Sequence, residues 1–439
     1  MSRSLSSQAG QPAVDEASSQ PIQDIPIADL PIDPSTPLFR VRSVALLFIT
    51  RVTSNSSNQM LSVAVGYQVY ELTDSALHLG LIGLVQFLPP LLLMLIAGHV
   101  ADRYNRRLVL RVCFAIEFCA TTGIMIAALF PRPSLVAIYG LLLTNAIART
   151  FEQPTMQSLV PTMAPRVLLS RAVAAHVSGG RLSNLLGPAL GGLLYVLGPA
   201  FAYATCALLI GGAAAASFLL PNPPLAAERP KLSWESLLAG FRFIWRCQAV
   251  LGAMSFDLMA TLFGGVTALI PIFARDILDI GPWGAGILRS SPAIGALMTA
   301  AVLTRFPVQR NGGLFLYVGF ALFGLGVTVF GLSTNVALSI ASLLLLGAGD
   351  MVSSVVRQTI IYTTTPDAMR GRVAGVNSFF IGCSGQLGSF RAGTMAAMIG
   401  TVGAVVVGGC VVFATVALWL WLFPALRQVD RPDQAQPFK

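Results

Sequence analysis

Charge is the first thing this chain is short of. Only 11% of its 439 residues are Asp, Glu, Lys or Arg, against 55% hydrophobic, and the mean hydropathy is +0.73. A soluble domain carries about 25% charge, so this composition excludes a water-facing surface and points to a bilayer. Lysine is nearly absent: Lys231 and Lys439 are the two, and neither follows a Gly-rich turn. That excludes ATP hydrolysis through a P-loop. The three histidines, His78, His99 and His176, form no HExxH and no ligand cluster, and G-x-S-x-G is missing. The six cysteines (Cys113, Cys119, Cys206, Cys247, Cys383, Cys410) make no C-x-x-C pair and sit mostly in apolar runs. They read as small buried hydrophobes rather than a disulfide framework. Neither enzymatic activity nor a cofactor or metal is expected. The net charge of +9 says little about nucleic acid, because its distribution along the chain matters more.

What the chain has in quantity is long apolar runs. A membrane-spanning helix takes about 20 such residues, and twelve segments qualify: 43–67, 78–101, 108–130, 134–157, 169–195, 199–220, 249–274, 282–304, 313–332, 336–361, 372–398 and 401–423. With the N-terminus in the cytosol, the cytosolic connections collect most of the arginines, from Arg103, Arg106, Arg107 and Arg111 to Arg427 and Arg431. The opposite connections hold Arg132 and Arg275 beside Glu71, Asp74, Asp276 and Asp279. This positive-inside asymmetry gives an even number of spans and two cytosolic termini. Residues 1–40, rich in Ser, Gln, Pro and Asp, read as a disordered cytosolic tail, and 426–439 as a second tail. The connection 221–248 repeats Leu232, Leu237, Leu238, Phe241 and Trp245 at helical spacing beside Arg242 and Arg246. It predicts an amphipathic helix on the cytosolic face. The expected fold is all-α and integral to the membrane, with twelve transmembrane helices in two pseudo-symmetric six-helix bundles, 41–220 and 249–425.

The two halves repeat one another. A shift of 201 positions pairs Gln157 with Gln358, Pro165 with Pro366, Arg171 with Arg372, Gly187 with Gly388 and Gly192 with Gly393. A shift of 203 pairs Gly83 with Gly286 and Pro89 with Pro292. Parallel repeats with a site at their interface describe a secondary transporter.

One motif gives the type. "GHVADRYNRR", residues 98–107, follows the second span and resembles the G-x-x-x-D-R-x-G-R-R/K signature of the major facilitator superfamily. In that resemblance Gly98 allows close packing, Asp102 caps the eleventh helix at its positive dipole end, and Arg103, Arg106 and Arg107 complete a cytosolic latch. Asn105 stands where the family has Gly, and tolerates a left-handed turn better than other side chains. "GPALGG" resembles the antiporter signature at Gly187, Pro188, Gly191 and Gly192, where small residues let helices approach and Pro bends the helix. A tightly packed, kinked helix without directional meaning is the alternative. Together with "TPDAMRGRVAG", these stretches look most like the drug, siderophore and lipid exporters of the superfamily.

Energy then comes from an ion gradient, and protons need titratable groups inside the membrane. Four acids are placed there, Glu117, Glu152, Asp257 and Asp350, and burial makes each a functional candidate; the resemblance puts Asp257 and Asp350 first, on the seventh and tenth spans that line the cavity in that fold, and Glu117 behind them, on a third span that packs outside. Glu152 follows Arg149 by three residues and can simply pair with it. Arg149 resembles a fourth-span Arg that antiporters of the family use, and the 201 shift places it opposite Asp350, as a gated salt bridge would. Arg51, Asn55, Asn58 and Ser62 form a polar stripe on the first span, suited to a cargo with hydrogen-bonding groups or to bonds between helices. The expected function is export of a small amphiphilic organic molecule in exchange for protons, across a bacterial inner membrane, by a monomer. Its partners are the lipid bilayer, the small-molecule substrate and protons. A proton-coupled uptake symporter, a lysophospholipid flippase and a non-transporting sensor stay open as alternatives.

Overall fold

The computed structural model describes residues 33, 36–221, 241–306 and 311–427. The N-terminal tail as far as residue 32, residues 222–240 of the expected amphipathic segment, and the tail from 428 onward lie outside the described residues. Within them there is no β-strand. We label the long helices α1 (Arg42–Thr73), α2 (Ala76–Arg103), α3 (Arg106–Ala127), α4 (Leu135–Met163), α5 (Leu169–Tyr195), α6 (Pro199–Leu219), α7 (Gln248–Gly264), α8 (Gly281–Arg305), α9 (Gly312–Leu332), α10 (Val336–Thr364), α11 (Asp367–Ile399) and α12 (Thr401–Leu422). Among the described residues, nine helical segments are long and apolar enough to cross a membrane. The long helices outside that set, α1, α5 and α11, hold much of the polar material between helices.

Local chemistry starts and stops these helices. The Asn105 side chain accepts from the Arg107 N–H at 3.0 Å and caps α3. Asn335 accepts from Ala337 and Leu338 at the start of α10. Such caps satisfy N–H groups that a helix leaves without partners. Asn105 has φ −60° and ψ 108°, so the expected left-handed turn is not formed. Capping takes an extended residue, and Asn supplies the acceptor that Gly lacks. Pro199 opens α6, and Asp74 in the left-handed region closes α1.

The seventh span is the irregular one. Sequence spacing predicts an unbroken helix over 249–274, but α7 ends at Gly264. The chain continues through a 3-10 turn, Thr267–Leu269, one α turn, and a π-helical turn, Phe273–Ile277. The Gly264–Gly265 pair and Pro271 weaken the ladder there.

Packing follows the repeat. Helix α1 packs on α5 and α6, α3 on α4 and α6, and α2 on α4; likewise α9 packs on α10 and α12, and α8 on α10. The two repeats meet mainly where α2 packs on α11 and α5 on α8. Equivalent glycines make equivalent contacts. A Cβ on Gly187 would lie 2.6 Å from Gln59 Cβ of α1, and one on Gly388 would lie 2.7 Å from the Thr261 carbonyl of α7. A Cβ on Gly83 would lie 2.8 Å from the Gln386 carbonyl, and one on Gly286 would lie 2.6 Å from the Pro188 carbonyl. Without a hydrophobic driving force between helices in lipid, such close backbone approach supplies much of the association.

The ends of the bundle differ. We call the end where α1 begins and α12 finishes the terminal end, and the other the far end. Ser43 Oγ of α1 donates to the Met163 carbonyl of α4 at the terminal end.

Candidate functional site: a polar cavity between the repeats

A cavity of 740 Å³ lies between the two repeats. Helices α1, α2, α4, α8 and α11 all contribute to its wall. The lining runs from Asn58, Arg289 and Gln386 at mid-helix towards Gly98, Gln157 and Gly375 nearer the terminal end. Amides dominate its polar part, through Asn58, Gln59, Gln86, Asn145, Gln153 and Gln386, and the charged groups among the described lining residues are Arg149 and Arg289. Arg289 Nη2 of α8 donates to Ser62 Oγ of α1 at 2.8 Å, which joins the repeats across the cavity. A wall of this kind offers donors and acceptors to a cargo with oxygen and nitrogen groups, beside apolar surface from Leu61, Pro90, Met94 and Leu142.

The far end is sealed. Arg275 Nη1, on the π-helical turn, bonds Asp74 Oδ1 at 2.7 Å at the end of α1. The Tyr70 hydroxyl donates to Asp276. Tyr195 of α5 donates to Glu71 Oε2 at 2.5 Å. The Arg275 and Tyr70 contacts tie the first repeat to the second where α1 and the seventh span finish, and the Tyr195 bond braces α5 on α1 within the first repeat. The glycine contacts of α2 with α11 and of α5 with α8 lie in the same half of the bundle.

The polar stripe on α1 divides. Asn58 reaches the cavity, whereas Asn55 is buried against α5, donating to the Gly180 carbonyl at 3.3 Å and to Asn184 Oδ1 at 3.0 Å. Arg51 also lies beside Gly180 and is not among the lining residues. Helix α1 stays against α5 from Gly179 to Gly191, so the neighbour takes Arg51 and Asn55 while Asn58 turns to the cavity. The sequence marked Arg289 only as one of several arginines inside the membrane, and of the lining amides it marked Asn58 alone for the cavity.

The four acids fall into three settings. Asp257 of α7 pairs with Arg357 of α10, and both are buried. Asp350 is exposed on α10 and is not part of the cavity wall. Arg149 pairs with Glu152 on its own helix at 3.8 Å. The Arg149–Asp350 bridge expected from the repeat is therefore absent in this conformation. A pseudo-symmetric position fixes depth in the membrane, whereas the partner is set by the direction each side chain takes. Glu117 and Glu152, on α3 and α4, are 0% and 1% exposed and touch each other.

Of the latch motif, Gly98 lines the cavity. Arg106 donates to the Ala101 and Ser158 carbonyls, Arg107 donates to the Phe218 carbonyl, and Arg103 is exposed. These bonds bind the α2–α3 turn to α4 and α6 of its own repeat. The Asp102 side chain lies outside the described part of the structure. In the antiporter-like stretch, Gly187 and Gly191 lie against α1, and Pro188 and Gly192 lie against α8.

Two helical repeats around one polar cavity, sealed at one end, define a secondary transporter of the major facilitator type. The chain belongs to that superfamily's transmembrane secretion effector family, whose model matches residues 33–437. It is 28% identical over 401 residues to the enterobactin exporter EntS of Escherichia coli O1:K1, covering 89% of this chain and 93% of that one. The same identity and coverage hold for the enterobactin exporter of Citrobacter koseri. Among solved structures, the nucleoside transporter NupG shares the fold at a TM-score of 0.69 and 14% identity, over 87% of this chain and 99% of its own. A POT family transporter in complex with 5-aminolevulinic acid gives 0.70 at 13% identity, over 93% and 100%. The chain is thus a multi-pass membrane transporter and not an enzyme.

Proposed function

We propose that the protein exports a small amphiphilic organic molecule from the cytosol by alternating access, in exchange for protons. Its twelve spans form two six-helix halves, 41–220 and 249–425, joined by the 221–248 connection. A monomer in a bacterial inner membrane, with both termini cytosolic, is the working unit. The observation that carries this is the cavity between the repeats, whose lining reaches towards the terminal end while ion pairs and glycine contacts close the far end. With the termini in the cytosol, this is the state that loads cargo from inside. The positive-inside distribution of arginine supports that orientation. The enterobactin exporters to which the chain is similar support the outward direction and suggest a siderophore-like cargo, rich in carbonyl and hydroxyl oxygens, that the amides and guanidiniums of the wall suit.

Everted membrane vesicles that pump protons into their lumen test this with enterobactin as the probe. The expected result is accumulation in the lumen that stops when nigericin collapses the pH gradient. Accumulation by right-side-out vesicles instead would show uptake symport and overturn export.

A further inference from the structure

We infer that the Glu117–Glu152 pair, enclosed by α1, α3 and α4, is the proton-carrying site, with Arg149 as its connection to the cavity. This rests on the proton-exchange reading above and deepens it. The two carboxyls come from different helices, are almost wholly buried, and touch. Their surroundings donate to only part of them. Ser54 Oγ of α1 donates to Glu152 Oε1 at 2.6 Å, and Asn58 Nδ2 of α1 lies 3.4 Å from Glu117 Oε2. Among the described residues, no donor group reaches Glu117 Oε1 or Glu152 Oε2. Two carboxylates in contact and away from water cannot both stay ionised, and buried acceptors without donors are costly. A proton held by the pair meets both demands.

The charged and titratable groups around the pair are few. Helix α1 brings Arg51, α3 brings Cys113, and α4 brings Arg149; α6, which packs on α3, carries no charged residue. Arg149 alone of these also lines the cavity. It stands 3.8 Å from Glu152 Oε2, close enough to feel the charge of the pair and loose enough to move. Asn58 has the same double position, bonding Glu117 while facing the cavity. Gain or loss of a proton on the pair therefore changes what the cavity wall presents to cargo. The other buried acid, Asp257, is already matched by Arg357 and lines no part of that wall.

Infrared difference spectroscopy on the chain in liposomes tests the inference without transport. Raising the pH should bleach a protonated-carboxyl C=O band in the wild type. Glu117→Gln and Glu152→Gln should each lose that band, and Glu152→Asp should restore it at a shifted frequency. Asn58→Ala, which leaves both carboxyls in place, should shift the band if either glutamine variant folds poorly. A band untouched by all four variants would overturn the pair as the proton site. Adding enterobactin at fixed pH should lower the band in the wild type and leave it unchanged in Arg149→Gln. A rise in the wild type would mean cotransport: it would overturn the exchange reading and leave the pair as the proton site.

Discussion

The two repeats bury acid in opposite ways. In the second, Asp257 forms a close, buried ion pair with Arg357 across α7 and α10. In the first, Glu117 and Glu152 share α1 donors and, among the described residues, only Arg149 stands within ion-pair distance, with no donor on two of the carboxylate oxygens. A matched buried pair is a fixture, since removing one partner leaves an uncompensated charge. An under-matched pair changes charge state at less cost. The helices and their glycine contacts correspond between the halves, while the charges do not.

The hardest test of this contrast is Arg357→Ala. Stranding Asp257 should cost about 3–5 kcal/mol, seen as a large drop in the unfolding temperature of the purified protein. Replacing both members by Leu should recover most of that loss. Equal stability of the single and double variants would mean that the pair is no fixture.

A second test asks whether the repeats are equivalent where glycines meet backbone. Gly286→Leu and its counterpart Gly83→Leu each drive a side chain into the facing helix, at about 1–3 kcal/mol for an overpacked contact. Matching losses of monodisperse protein on size-exclusion chromatography are expected. A large loss in one and none in the other would break the symmetry of the two interfaces.

The smallest effect should come from the tie that joins the halves at the far end. Arg275 and Asp74 keep side-chain exposures of 38% and 70%, so Asp74→Asn should change stability by no more than about 1 kcal/mol. Its readout is conformational. A cysteine placed at Gln86 in the cavity should react faster with a membrane-impermeant thiol reagent from the far side in the variant than without it. An unchanged rate would show that the glycine contacts alone hold that end shut.

Helix existence was largely legible in the sequence. The predicted segments fall within a few residues of α1 to α12 at most ends, because apolar runs and Pro, Gly or Asn boundaries are local signals. The seventh span was the exception: its hydropathy runs on past Gly264, while the backbone changes winding there. Hydropathy reports burial and carries nothing about winding. The acids were found as candidates but not their partners. Arg149 and Asp350 correspond by repeat, yet one bonds along its own helix and the other is exposed on α10.

What the sequence determined by itself is the membrane character, the helices, the repeat and the sign of charge at each end. Each follows from composition and spacing along a short stretch of chain. Which acids touch, which arginine reaches the cavity, and which end is shut were decided only by tertiary structure. Glu117 meets Glu152, and Asp257 meets Arg357 a hundred residues away, through the rotation and crossing of packed helices. A rotation of one residue, about 100° around the helix, moves a side chain from a neighbouring helix to the cavity or the lipid. Sums of hydropathy along the chain do not register that angle.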